Sequence, residues 1–137
     1  MQYLEIEPTY KSPRVVFNPV EGKLIIEGRS VLEKVEEFYN PLLNWLDDYI
    51  EKRNQNATEF TFDLEYVNLA STKRLLFCFY KLQKLKENGV EVKVIWRHLN
   101  NDKETVELGK DLAQMFSFPI DFVGYEKLHS REWLASA

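Results

Sequence analysis

The sequence predicts an α/β protein built on a parallel or mixed sheet, and three observations support this. Runs of period two (Phe60, Phe62, Leu64; then Val90, Val92, Val94, Trp96) alternate with runs spaced by three and four (Val35 to Ile50; Leu75 to Leu82). The resulting order is βββαβαβαβ, and the later strands are each joined through a helix, the connection that parallel neighbours require. Finally, 137 residues with 45% hydrophobic and 14% aromatic content are enough to close one core. The expected organisation is a single domain over residues 1–137.

The elements follow in order. Tyr3 to Glu7 is a short first strand, and the polar stretch Thr9 to Pro13 is a connection. Val15-Val16-Phe17 and Leu24-Ile25-Ile26 flank the turn-rich Asn18 to Gly22, which predicts an antiparallel hairpin. Ser30 stands three residues before Glu33, the spacing of a capping box, so a helix is expected from Val31. Its apolar stripe runs through Val35, Phe38, Tyr39, Leu42, Leu46, Tyr49 and Ile50. Pro41 lies inside that stripe and is expected to kink the helix or divide it near Asn40. Residues 51–57 then form a loop.

The focal strand, Phe60 to Glu65, hands over across Tyr66-Val67-Asn68 to a second helix that stops at Asn88-Gly89. Val90 to Trp96 is the next strand, with both faces partly covered, and Asn100-Asn101-Asp102 is a turn whose aspartate caps a third helix through Met115. Residues 119–125 (PIDFVGY) are a last strand. Residues 126–137 are either a short helix docked by Trp133 or a frayed tail.

Composition excludes several classes of function. The net charge of −4 is unsuited to nucleic acid without a basic stripe, and Lys81, Lys84, Lys86 and Lys110 are interleaved with acids. Cys78 is the only cysteine and sits in an apolar helical run, which suggests a small core residue. The N-terminus has no signal-peptide pattern and no run is long enough to span a bilayer, so a cytoplasmic protein is expected. The five glycines are isolated, which leaves no phosphate-binding loop or dinucleotide fingerprint. His98 and His129 have no ligand partners at metal spacing. No catalytic set, metal or cofactor is expected.

The chemistry that remains is at the strand-to-helix turn. The first turn of a helix carries unpaired N–H groups and partial positive charge, so it suits side-chain oxygens and anions. Asn68, Ser71 and Thr72 supply the oxygens, and Lys73 sits at the end of the dipole that disfavours it. Asp63 and Glu65, on one strand face just before the turn, form an acidic rim. Trp45, Phe77 and Tyr80 lie off the apolar stripes, either covered by the fold or exposed for docking.

Tyr66-Val67-Asn68-Leu69-Ala70-Ser71-Thr72-Lys73 resembles the Tyr-apolar-Asn-Thr-Ser-Ser-apolar-Lys signature of the SiaC family of regulatory phosphoproteins. The resemblance extends to Ser12-Pro13, to Gly22-Lys23-Leu24 through Gly28-Arg29-Ser30, to the Phe38–Trp45 helix and to Val92–Trp96. It implies a fold similar to anti-sigma-factor antagonist (STAS) domains, a mixed sheet with helices packed against it. It also implies a non-catalytic signalling protein toggled by a cognate kinase and a PP2C-type phosphatase, with an effector such as a diguanylate cyclase. By the same resemblance the partner-binding residues are Tyr66, Asn68, Leu69, Ser71, Thr72 and Lys73. The family's acceptor threonine and the serine after it fall on Leu69 and Ala70, so the phosphorylation candidates become Ser71 and Thr72. Two other readings stay open. One is a constitutive binding module in which Leu69 is an apolar contact; the other is a ligand-binding or enzymatic site near His98, Asn100 and Asp102, just past a strand end.

Overall fold

A computed structural model describes residues 1–52 and 56–127. The strands are β1 (Leu4–Ile6), β2 (Arg14–Asn18), β3 (Lys23–Ser30), β4 (Ala57–Val67), β5 (Glu91–Leu99) and β6 (Ile120–Tyr125). The helices are α1 (Val35–Lys52), α2 (Leu69–Glu87) and α3 (Lys103–Met115). The order is the expected βββαβαβαβ. The docked helix or frayed tail of 126–137, with Trp133 and His129, falls from residue 128 onward outside the described residues.

The strands lie side by side in chain order, a six-stranded mixed sheet. β1, β2 and β3 run antiparallel to one another, and β3 to β6 are parallel. Each parallel step crosses over through one helix. With right-handed crossovers all stepping the same way, the three helices stack on one face of the sheet. Burial agrees with this arrangement. The cross-strand row Phe17, Leu24, Phe60 and Val94 and the row Val15, Ile26, Phe62 and Trp96 are buried. Their neighbours Val16, Ile25, Thr61 and Ile95 face the other way and are half-buried.

Aromatic side chains fill the layer between sheet and helices. Phe60 stacks on Phe62 (centroids 4.2 Å apart), and Phe62 stacks on Phe79 (5.0 Å) and tilts against Trp96 (5.7 Å). Trp96 Nε1 donates to the carbonyl of Thr105, which ties α3 to the sheet. Cys78 is buried in this layer, and burial pushes its thiol up to about 12. Trp45, half-buried, packs on Phe17 (4.9 Å) and Tyr49 (5.2 Å) and donates to the carbonyl of Gln2, so it closes the core rather than projecting from it. Tyr80 is half-exposed with its ring edge on Phe116, and Phe77 carries the Arg74 guanidinium 5.5 Å from its ring centre.

Four local expectations are corrected. Helix α1 begins at Val35, not Val31, and the capping box of Ser30 and Glu33 does not form, because Ser30 is the last residue of β3 and its hydroxyl points inward. Pro41 does not divide α1, which is continuous from Val35 to Lys52. The proline removes one donor, and the carbonyl it would have met belongs to exposed Glu37, where water can satisfy it. His98 is not past a strand end: β5 continues to Leu99 because β6 pairs with it that far. Asp63 is no rim acid; its carboxylate is buried, takes the Tyr125 hydroxyl at 2.6 Å and faces Arg97 at 3.5 Å.

At the end of α2, Gly89 has φ +89. Its N–H donates to Lys86 O and that of Val90 to Leu85 O, the Schellman arrangement, which only glycine adopts without strain.

Candidate functional site

The passage from β4 to α2 is held from three directions. Tyr66 has φ +59, the one non-glycine positive φ among the described residues and a conformation that costs a side chain about 1–2 kcal/mol. It coincides with a register shift between Gly28 and Ser30 on the neighbouring strand. The Tyr66 ring lies against the Arg29 guanidinium (4.7 Å), which also lies over Tyr10 (5.0 Å). The strained residue is thus linked to the N-terminal segment through Arg29.

Asn68 is the N-cap. Its Oδ1 accepts from Ser71 N (2.9 Å), its Nδ2 donates to Leu32 O (3.0 Å) and its backbone N–H donates to Ser30 O (3.0 Å). The Asn68 side chain therefore starts the helix and ties it to the segment after β3, while its backbone N–H ties it to the last residue of that strand.

Behind the cap runs a buried chain of hydroxyls. Ser30 Oγ donates to Ser71 Oγ (2.8 Å) and lies 2.6 Å from Tyr39 Oη. Since the one Ser30 proton is committed to Ser71, Tyr39 must donate to Ser30. Burial raises the Tyr39 phenol well above its ordinary range, so it stays protonated and able to donate. This relay joins β3, α1 and the first turn of α2.

The structure separates the six site residues proposed from sequence. Ser71 has no exposed surface and is an anchor. Asn68 is half-buried and caps. Thr72 is half-buried on the outer side, its Oγ1 donating to Asn68 O (3.2 Å). Tyr66 (63%) and Leu69 (86%) are exposed, as are Ala70 and Lys73. Among the two candidate hydroxyls, then, Thr72 alone lies near solvent.

A groove of about 640 Å³ opens beside this turn, between α2 and α3. Leu69, Ala70 and Leu76 form one wall and Leu108, Leu112 and Met115 the other, with Thr72, Lys73 and Asp111 at its margins. Met115 is 55% exposed. Of the residues lining this groove the sequence pointed to Leu69, Thr72 and Lys73, but not to Ala70, Leu76 or the wall that α3 supplies. The signal was present in the spacing of Leu108, Leu112 and Met115 by four and three, which places them on one helix face.

Of the residues grouped around His98, the side chains of His98 and Asn100 both lie over Gly124, while Asp102 turns away from them. His98 Nδ1 lies 2.9 Å from the Leu99 carbonyl. The Asp102 carboxylate caps α3, accepting from Thr105 N (3.1 Å) and Thr105 Oγ1 (2.7 Å). A neighbouring cavity of about 380 Å³ is lined by Glu65, Tyr66, Asp102, Glu104 and Lys127 among others, and His98 is not part of its wall. Among the described residues there is no group of three or more metal-ligating side chains and no helix long and apolar enough to cross a membrane.

The model of the SiaC family of regulatory phosphoproteins matches residues 6–125. The chain belongs to that family. The match covers every element from the end of β1 to β6, including the turn at Tyr66 to Lys73. An uncharacterised protein of Pseudomonas aeruginosa (strain UCBPP-PA14) is 22% identical over 127 residues, 93% of this chain and the whole of that one. Among solved structures, SiaC of Pseudomonas aeruginosa superposes with a TM-score of 0.84 at 22% identity, covering 91% of this chain and 100% of that chain. Its apo form gives 0.81 at 24% identity, over 90% of this chain and 100% of the other. A crystal structure of the diguanylate cyclase SiaD with its activator SiaC, from the same organism, contains a chain that superposes at 0.83 with 22% identity, covering 89% and 99%. At these identities the superpositions establish a shared fold.

Proposed function

We propose that this protein is a non-catalytic signalling module that docks a protein partner on the first turn of α2 and the adjoining α2–α3 groove. The observation that carries this reading is Leu69: an apolar side chain 86% exposed at the tip of a turn anchored from within by Asn68 and Ser71, continuous with an apolar groove. A large exposed apolar surface is typical of an interaction site. The activator role of the structural relative supports an effector of the diguanylate cyclase type.

In the proposed switch, a cognate kinase modifies Thr72 and a PP2C-type phosphatase reverses it. Thr72 lies on the groove margin, so a phosphate would add about −1.5 to −2 charges beside an apolar contact surface. The helix N-terminus tolerates that charge, with Lys73 next to it, whereas an apolar partner surface does not. Ser71 is unsuited to the same role because its hydroxyl is buried in the relay and a kinase would have to open the start of α2 to reach it.

The test is phosphorylation by the cognate kinase with sites mapped by mass spectrometry. Modification should persist in Ser71→Ala and vanish in Thr72→Ala; persistence in Thr72→Ala removes the site assignment. Partner capture should be lost in Leu69→Asp and Met115→Asp. Retained capture in both would remove the docking surface. The second reading, constitutive binding, is favoured by Leu69 and Ala70 themselves, which are exposed and carry no hydroxyl. It requires that the same partner be recovered whether or not phosphatase is present.

A further inference from the structure

The two edges of the sheet are built differently. The β1 edge is three residues long, carries Glu5 and is followed at once by Glu7-Pro8. Short length, charge and proline are the usual means of keeping a sheet edge from pairing. The β6 edge also carries one acid, Asp121, and is flanked by Pro119 and by Glu126-Lys127, but it is six residues long and exposes Phe122 (39%) and Val123 (42%). Among the described residues nothing pairs with it from the outer side.

The hydrogen bonds to β5 show which groups remain at that edge. The carbonyls of Pro119 and Tyr125 accept from Val94 N (3.0 Å) and Asn100 N (2.9 Å). Backbone groups alternate sides along a strand, so those of Asp121 and Val123 also turn to β5. Those of Ile120, Phe122 and Gly124 turn outward. This set is symmetric about Phe122, and a two-fold axis there would pair Phe122 with Phe122 and Ile120 with Gly124 in both directions. All three outward donors and all three acceptors would be satisfied in a single antiparallel register that keeps the helix-bearing faces on one side. The same register sets Asp121 opposite Val123 on the open face, so no carboxylate meets its own copy.

We propose that β6 is a homotypic pairing edge: two copies of this chain join through antiparallel β6 strands about a two-fold axis at Phe122, forming one continuous sheet. Pairing of two six-residue strands is small beside a standard interface of about 1,600 Å², so the dimer is weak.

The full-length chain tests this by sedimentation and by amide exchange across a dilution series. A monomer–dimer equilibrium is expected, with the Ile120, Phe122 and Gly124 amides protected only as concentration rises. The register sets the sign of two substitutions at Val123, whose side chain lies on the open face. Val123→Asp sets like charges opposite each other twice per dimer and should weaken association about tenfold. Val123→Lys sets a cation opposite Asp121 and should tighten it by a similar factor. Three results would overturn the proposal. One is a monomer at all concentrations. Another is a dimer indifferent to both substitutions, which would use another surface. The third is protection of these amides that is independent of concentration, which would mean the edge is covered from within one chain.

Discussion

Leu69 and Ser71 stand two residues apart in the first turn of α2, and one is 86% exposed while the other has no exposed surface at all. Two residues rotate a helix by about 200°, so one turn presents two faces. The inner face is polar: Asn68, Ser71, Ser30 and Tyr39 are joined by hydrogen bonds that fix where the helix starts. The outer face at its tip is apolar and leads into the α2–α3 groove. This inverts the usual arrangement, in which apolar side chains anchor a helix and polar ones meet water. The inversion assigns anchoring to directional bonds and leaves the apolar surface available for docking.

The largest test of this contrast places a charge on each face. Ser71→Glu buries a carboxylate among hydroxyls with no cation and should cost more than ~3 kcal/mol in urea denaturation. Thr72→Glu, on the outer side, should stay within about 0.5 kcal/mol of the parent, helped by the helix dipole. Equal losses at both positions would break the distinction between anchor and display. Next in size is Ser30→Ala, which takes the acceptor from Tyr39 and the donor from Ser71; a loss of about 1–3 kcal/mol is expected from the same measurement.

Alkaline pH probes the buried side without mutation. Burial lifts Cys78 from its ordinary 9.0 to about 12 and lifts Tyr39 above its ordinary 10.0. The folded protein therefore keeps protons that the unfolded chain releases. The contribution of these two groups to stability should be constant below pH 9, then fall with rising pH by up to ~1.4 kcal/mol per unit for Cys78, with Tyr39 adding its share above pH 10. In Cys78→Ala the decline between pH 9 and 10 should flatten. The smallest stability effect belongs to the outer face: Leu69→Ser should change stability by less than ~0.5 kcal/mol while weakening partner capture severalfold. A large loss of stability there would mean that Leu69 is structural.

Element types and their order could be read from the chain because side-chain periodicity is set by local backbone geometry, two for strands and near 3.6 for helices. The strand–turn–helix at Tyr66 to Lys73, the Asn88-Gly89 stop and the Asp102 cap were legible for the same reason: each is satisfied within a few residues. The tertiary fold decided what depends on distant partners. Ser30 looked like a cap, but 41 residues on Ser71 supplies a buried acceptor, and its hydroxyl turned inward. Asp63 looked like a surface acid until Arg97 and Tyr125 covered it. The outer wall of the groove comes from α3, roughly 40 residues beyond Leu69 and separated from it by β5. No local pattern records which helix will lie beside another; that follows from strand order and the handedness of the crossovers.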